Sequence, residues 1–366
     1  MKIQRDEFLK ILEISRMAVA GSDHLEQLGH FIFGGENLIT FNNRLLIYYP
    51  FESDFQCSVG SELFYKQLQK YKTKELDINL TGNRLEVKGS KESAKIAVLL
   101  QQDKEIFGII DTIREEQLNV DYVAVPEQFV QAVDFCSYSA SKNAADGTLC
   151  CVCINGDTVM SSDNYRATKY KMDKSMSDHD LLLDARIANE IKRFEMTEFG
   201  VGENWLHFRN KVGVVLSARQ IFGDYMDIST AFEFAGKRMI LPDNTVDILD
   251  FVGVVVAGEQ QLERKADVTI RNGSITAYVD TNKAVVEKSV DLGKDKYKDL
   301  DFSFTINIDF LKSVLEHTTA MVYDMETGRA MFRSKNFKHC IRLMPEPRTP
   351  EEAQAITDKV KDDIPF

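Results

Sequence analysis

One structural phrase returns six times along this chain: a short amphipathic helix, an apolar strand, a Gly/Asn turn and a second strand. The turns read Phe33-Gly34-Gly35-Glu36-Asn37, Thr81-Gly82-Asn83, Asn155-Gly156-Asp157, Gly200-Val201-Gly202-Glu203-Asn204, Arg271-Asn272-Gly273-Ser274 and Glu326-Thr327-Gly328-Arg329. Each lies between period-two apolar runs such as Leu38-Ile39-Thr40-Phe41 or Ala330-Met331-Phe332, the signal of a β-hairpin. Successive turns are about 47, 74, 46, 71 and 55 residues apart, so long and short intervals alternate. Six half-units taken in pairs give three domains of similar size, placed at residues 1–118, 119–230 and 231–345, followed by an acidic tail over 346–366.

Helical periodicity precedes each hairpin. The first helix runs from Arg5 to about Val19, with Phe8, Ile11, Leu12, Ser15 and Val19 on one face. The second starts from Ser61, read as its N-cap, and turns Phe64, Leu68 and Tyr71 inward. The third follows Pro126 with Phe129, Val130 and Val133; the fourth opens near Asp184 with Ile187, Ile191 and Phe194. The fifth follows Pro242 with Val246, Leu249 and Phe251, and the sixth opens near Asp309 with Leu311, Val314 and Leu315. Charged stretches at 111–116 and 224–227 read as joints between domains. The expected class is α+β, each domain placing antiparallel sheet on one side and two helices on the other.

Composition narrows the function. No run of about 18 apolar residues exists, so no membrane-spanning helix is expected. The start Met1-Lys2-Ile3-Gln4-Arg5-Asp6-Glu7 places acid where a signal peptide needs an apolar stretch, which points to the cytoplasm. Six cysteines show no framework spacing and read as reduced thiols. In a strand, Cys150-Cys151-Val152-Cys153 puts at most Cys151 and Cys153 on one face, with no nearby His to complete a site, so neither metal nor cofactor is expected. No P-loop, dinucleotide fingerprint or nucleophile elbow appears, and no His stands beside a Cys or carboxylate at a recurring spacing. Catalysis is not expected. A net charge of −12 argues against coating nucleic acid with the whole surface, while leaving room for a basic stripe.

Local residues carry a resemblance. Asp121-Tyr122-Val123-Ala124-Val125-Pro126, Ser162-Asp163-Asn164-Tyr165-Arg166-Ala167, Phe222-Gly223-Asp224-Tyr225 and Ile341-Arg342-Leu343-Met344-Pro345 occur in the order and spacing of motifs in the bacterial DNA polymerase III β sliding clamps. The chain resembles that family over about residues 1–345. Its departures, such as Asn164-Tyr165 where the family carries Gly-His and Ala167 where it carries Leu, would suit a bacteriophage-encoded clamp, acting in the host cytoplasm. The resemblance implies a non-enzymatic processivity factor: a head-to-tail homodimer ring around double-stranded DNA, helices inward and sheets outside, serving a DNA polymerase and a clamp loader.

Lys66 and Lys70 lie one turn apart opposite the apolar side of the second helix, with Lys74 beyond it; Lys192 and Arg193 sit on the exposed side of the fourth. With Arg5, Lys10 and Arg16 they are the expected DNA-facing cations, set against acidic Asp243, Asp247 and Asp250 on the fifth helix. Carried over from the family, a groove for partner peptides with a Gln and Leu/Phe-type anchors would be walled by Leu149, Ser162, Asn164, Tyr165, Arg166, Ala167, Leu343, Met344 and Pro345. The tail ends Asp362-Asp363-Ile364-Pro365-Phe366, which resembles the acidic tip of bacterial single-stranded DNA-binding protein and implies partners that read that tip. The rival expectation is a clamp-derived adaptor or decoy that sequesters replication proteins without sliding.

Overall fold

The computed structural model describes residues 1–21, 26–101, 103–293 and 297–343. Its chain folds into two compact units, each assembled from separated stretches. The first holds Met1–Ser137, Cys150–Asp157 and Met172–Tyr225; the second holds Tyr138–Leu149, Thr158–Lys171 and the described residues from Met226 onward. Elements are numbered in chain order across both. No helix among the described residues is long and apolar enough to cross a membrane.

In the first unit the chain passes through β1 (Lys2–Gln4), α1 (Arg5–Ser15), β2 (His30–Gly34), β3 (Asn37–Phe41), β4 (Leu45–Pro50), β5 (Gln56–Gly60), α2 (Ser61–Lys70), β6 (Glu75–Thr81), β7 (Arg84–Lys88), β8 (Ser93–Leu99), α3 (Lys104–Asn119), β9 (Val123–Ala124), α4 (Phe129–Ser137) and β10 (Cys151–Asn155). It also contains β13 (Leu181–Asp184), α5 (Ala185–Ile191), β14 (Glu198–Val201), β15 (Trp205–Arg209) and β16 (Val215–Arg219). Twelve strands hydrogen-bond into one sheet in the order β1-β6-β7-β8-β5-β2-β3-β4-β16-β15-β14-β9. The seam is β4 against β16, with Tyr48 opposite Val215 and Leu45 opposite Ala218. Strands far apart in sequence thus share one hydrogen-bonded layer.

Strand alternation gives this sheet two buried faces. Phe31 and Phe33 point to α1 and α2, where Phe8, Leu12, Phe64, Leu68 and Tyr71 complete an aromatic core. Phe8 stacks 5.2 Å from Phe51, and Phe33 meets Phe55 edge-on at 5.3 Å. The alternate residues Ile32, Ile39, Leu46 and Tyr48 pack instead with Ile106, Ile110 and Ile113 of α3 and with Trp205. The stretch 111–116, expected to be a joint, is therefore the C-terminal half of a 16-residue helix. Its isoleucines recur at i, i+4 and i+7, and Asp103 caps it by accepting from Glu105 N at 3.0 Å and Ile106 N at 3.1 Å. Burying each isoleucine contributes roughly 2 kcal/mol, enough to hold the helix against the sheet. A second correction concerns α2: Ser61 is its first helical residue, and Gly60 occupies the cap position without a side-chain hydrogen bond.

The second unit contains β11 (Thr158–Ser162), β12 (Arg166–Lys171), β17 (Lys237–Ile240), α6 (Thr245–Gly253), β18 (Lys265–Arg271), β19 (Ser274–Asp280), β20 (Val285–Asp291), β21 (Asp301–Asn307), α7 (Ile308–Leu315), β22 (Ala320–Asp324), β23 (Arg329–Arg333) and β24 (Phe337–Arg342). Its strands run β11-β12-β24-β23-β22-β17 in one layer and β20-β19-β18-β21 in another. The turn joining β18 to β19 is Asn272-Gly273 with φ of 52° and 78°, the left-handed pair a tight hairpin demands. On α6 the core side is Ile248, Leu249 and Val252, whereas Phe251, expected inward, is 53% exposed under Lys288 Nζ. Asn307 caps α7 by accepting from Phe310 N at 3.2 Å, and Leu311, Val314 and Leu315 are buried as the periodicity predicts.

Candidate functional site

The turn between β11 and β12 is built by its own side chains. Asp163 Oδ1 accepts from Tyr165 N at 3.1 Å and from Arg166 N at 3.0 Å, while Asn164 takes the left-handed conformation at φ 69°. Ser162 Oγ donates to Arg166 O at 2.9 Å. Arg166 Nε donates to Asp163 Oδ2 at 3.0 Å, and its guanidinium lies 3.9 Å over the Phe310 ring. Burial raises the Asp163 carboxyl and lowers the Arg166 guanidinium, each opposed by the attraction of the other. Arg166 is thus a buried anchor that fixes the turn, leaving Tyr165 exposed at its tip.

Arg342 N donates to Tyr165 O at 2.8 Å, extending the pairing of β12 with β24. The result is a cavity of about 490 Å³, whose wall includes Ser162, Asn164, Tyr165, Arg166 and Ala167. Its floor is apolar: Ala167, Ile228 and Cys340 belong to a small core with Phe232 and Met331. Tyr165 and Met226 stand at the rim, 42% and 44% exposed. Arg329 and Arg342 face each other across β23 and β24, and Arg329 Nη1 donates to Thr230 O at 2.9 Å. Neither arginine has a carboxylate at ion-pair distance among the described residues. Asp227 also lines the cavity, with its carboxylate engaged by Ser229 N at 2.8 Å and Ser229 Oγ at 3.1 Å. The arrangement suits an extended peptide with apolar anchors and an acidic flank.

Of the groove residues expected from the sequence, Ser162, Asn164, Tyr165, Arg166 and Ala167 come together. Leu343 is buried, its N–H donating to Gly328 O at 2.7 Å. Leu149 stands apart from this wall, its carbonyl accepting from Ser141 N at 2.8 Å. Met344, Pro345 and the tip Asp362, Asp363, Ile364, Pro365 and Phe366 lie outside the described residues. Met226, Ile228, Ala231, Thr327, Arg329, Cys340 and Arg342 also line it and were not expected from the sequence; a local signal existed only for Ile228 and Ala231, in the apolar spacing Ile228, Ala231 and Phe232.

Four of the eight expected DNA-facing cations are paired with acids. Lys66 Nζ bonds Glu62 Oε1 at 2.6 Å, Lys192 Nζ bonds Asp134 Oδ1 at 2.7 Å, and Arg193 Nε lies 3.1 Å from Glu190 Oε2. Arg5 holds Asp6 and donates to the Tyr71 carbonyl, while Arg16 lies 4.5 Å over the Tyr65 ring. Lys10, Lys70 and Lys74 are exposed and carry no ion pair among the described residues. Counted over the six helices that the sequence predicts, which do not include α3, bases and acids are two and three on α1, two and one on α2, none and one on α4, three and one on α5 with its 192–194 extension, none and two on α6, one and one on α7. Eight bases therefore meet nine acids.

One buried constellation escaped the sequence. His207 Nδ1 lies 2.8 Å from Ser217 Oγ, and its Nε2 is 3.5 Å from Glu116 Oε1, which also accepts from Asn204 N and Trp205 N. Burial pushes the His207 pKa down against the pull of Glu116. Although these are the residue types of a hydrolytic triad, His207 and Ser217 are both wholly buried, so no substrate reaches the hydroxyl. They fix α3 to β15 and β16.

No family model and no curated protein matches the sequence. Solved structures do. The DNA polymerase III β chain of Streptococcus pneumoniae superposes with a TM-score of 0.73 at 13% identity, and the β subunit of Thermotoga maritima with 0.73 at 12%. The Helicobacter pylori β clamp bound to a DNA ligase peptide gives 0.71 at 13%. Each match covers 94% of this chain and 99% of the other. The chain therefore carries, over nearly its whole length, the α+β fold of the DNA polymerase III β sliding clamps.

Proposed function

We propose that this chain is a DNA sliding clamp, a non-catalytic processivity factor that encircles duplex DNA without reading its sequence and tethers a polymerase and other replication proteins. The observation that carries the reading is the shared fold, which spans nearly the full length of both this chain and the clamp chains. The groove gives it a docking place, because an apolar floor beneath an exposed Tyr165 is what a Leu/Phe-anchored peptide needs. In this reading three clamp domains, 1–118, 119–230 and 231–345, close head to tail with a second copy, and a loader opens the ring. Heterologous interfaces of that kind close when the rotation per subunit divides a full turn. The tip 362–366 recruits proteins that read the end of single-stranded DNA-binding protein. The chain acts in the cytoplasm, that of a host if it is phage-encoded.

The test is topological. Loaded onto a nicked circle, the protein should stay bound, and linearising that circle should release it. Equal retention on circle and line refutes sliding. The near balance of acids and bases on the six helices favours a second reading, an adaptor that gathers replication proteins through its groove and tail without riding DNA. Under that reading neither substrate retains the protein, while peptide binding persists.

A further inference from the structure

We propose that the groove at Tyr165 is a docking site for this chain's own residues 362–366, which occupy it in cis and must be displaced before a partner peptide enters. The inference rests on the reading of the groove as a peptide site and adds its regulation. The first argument is continuity. The described residues end at Leu343, which is pinned through its N–H to Gly328, beside Thr327 and Arg342 of the cavity wall. Gly328 has φ 61°, and a Cβ there would meet the Leu343 carbonyl at 2.8 Å, so glycine permits this close departure. Eighteen residues, 344–361, then precede Asp362. At up to about 3.3 Å per residue, that length readily turns back onto a cavity that begins one residue before the exit.

The second argument is complementarity. The cavity offers an apolar floor and two arginines, Arg329 and Arg342, opposite each other on adjacent strands. Like charges placed so are unfavourable unless an anion joins them. Asp362-Asp363 followed by Ile364-Pro365-Phe366 supplies acids and then apolar anchors in one short run. Tethering holds such a segment at a local concentration on the order of 1 mM. A cis occupant whose intrinsic Kd is about 100 μM then weakens any competitor about tenfold.

The experiment uses the full chain and the full-chain variant Ile364→Ser/Phe366→Ser, with two fluorescein-labelled synthetic peptides read by anisotropy. The first probe is residues 355–366 of this sequence. It should bind the variant about tenfold more tightly than the parent, and adding Tyr165→Ala and Arg342→Glu to the variant should abolish that binding. The ratio should not change on tenfold dilution of the protein; a ratio that collapses on dilution means occupation by a second copy and overturns the cis assignment. Equal affinity for parent and variant, or none, also overturns it. The second probe is a Gln-containing peptide ending in Leu-Phe. If it binds both proteins equally and depends on Tyr165, the groove reading stands and the tail inference falls; if it binds neither, the groove reading falls too.

Discussion

Four of the cations expected to face duplex DNA are ion-paired, and releasing the three on the second and fourth helices of the expected set has a calculable effect. Lys66, Lys192 and Arg193 each present a local dipole, because Glu62, Asp134 and Glu190 sit 2.6–3.1 Å away. Neutralising those acids in the triple variant Glu62→Gln/Asp134→Asn/Glu190→Gln restores three point charges without altering side-chain size. Each cation that meets a phosphate releases counterions and steepens the log–log salt dependence of binding by about 0.9. Three contacts steepen it by about 2.7. Over a fourfold rise in salt, from about 50 to 200 mM, the variant should lose about 40-fold more affinity than the parent. Anisotropy of a short labelled duplex, titrated at four salt concentrations, measures the slope. Parallel lines for parent and variant would show that these helices do not meet DNA and would refute the assignment of the face. Glu62 is exposed and Asp134 and Glu190 are partly exposed, so the melting temperature should fall by no more than a few degrees.

The remaining predictions concern the groove and the core. Tyr165→Ala removes an exposed aromatic anchor and should weaken a Leu/Phe-anchored peptide about tenfold in anisotropy, with unchanged melting. His339 is buried, bonded through Nδ1 to Thr168 Oγ1 at 2.7 Å, and burial pushes its pKa down to about 3. The unfolded chain therefore takes up a proton near pH 6.5 that the folded chain refuses. Stability is complete above that pH and falls by about 1.4 kcal/mol per unit as pH drops toward 3. His207 adds a slope of the same sign, and His339→Gln should flatten the thermal stability profile over pH 4–6.5 by one proton's worth. Gly236→Ala drives a Cβ into the Tyr323 carbonyl across the β17–β22 edge and should cost about 1–3 kcal/mol, read as a lowered melting temperature. Gly258→Ala, with nothing within 4 Å, should leave melting within about 0.5 kcal/mol of the parent.

What could be read from the residues depended on range. Phe64, Leu68 and Tyr71 were legible because α2 has one apolar stripe on a polar helix, and all three are buried. The α6 region carries Val246, Ile248, Leu249, Phe251, Val252 and Val254, too many apolar residues for periodicity to choose a face; packing against the β18–β21 layer chose Ile248, Leu249 and Val252. In α3 the dense charge of 111–116 hid the isoleucine stripe that the sheet uses. The Ser162–Ala167 side of the groove came from the family resemblance, which one contiguous run of residues carries, and the Asx turn that shapes that run is local. The other side was not legible: Arg342, and Arg329 beside it, reach the cavity because β24 pairs with β12, where Arg166 stands opposite Ile341, and no local spacing encodes that pairing. The same holds for Glu116 and His207, which meet only because α3 covers the sheet.

Charge balance and fold make different demands, and salt separates them. A protein that adheres to phosphates through eight bases offset by nine acids has little net field to offer, so its hold on DNA should be weak and should fade as salt rises. A closed ring needs no such field. Its retention is topological, lost when the ring opens or the strand ends, and nearly indifferent to ionic strength below the point where subunit contacts fail. A nearly neutral inner face would even aid sliding, since each phosphate contact made must be broken before the next step. Retention on a nicked circle that survives about 500 mM salt, coupled with negligible binding to a short linear duplex, is the signature of the ring. Retention that tracks the salt slope of the short duplex would mean that the helices grip DNA from one side, and would refute the ring.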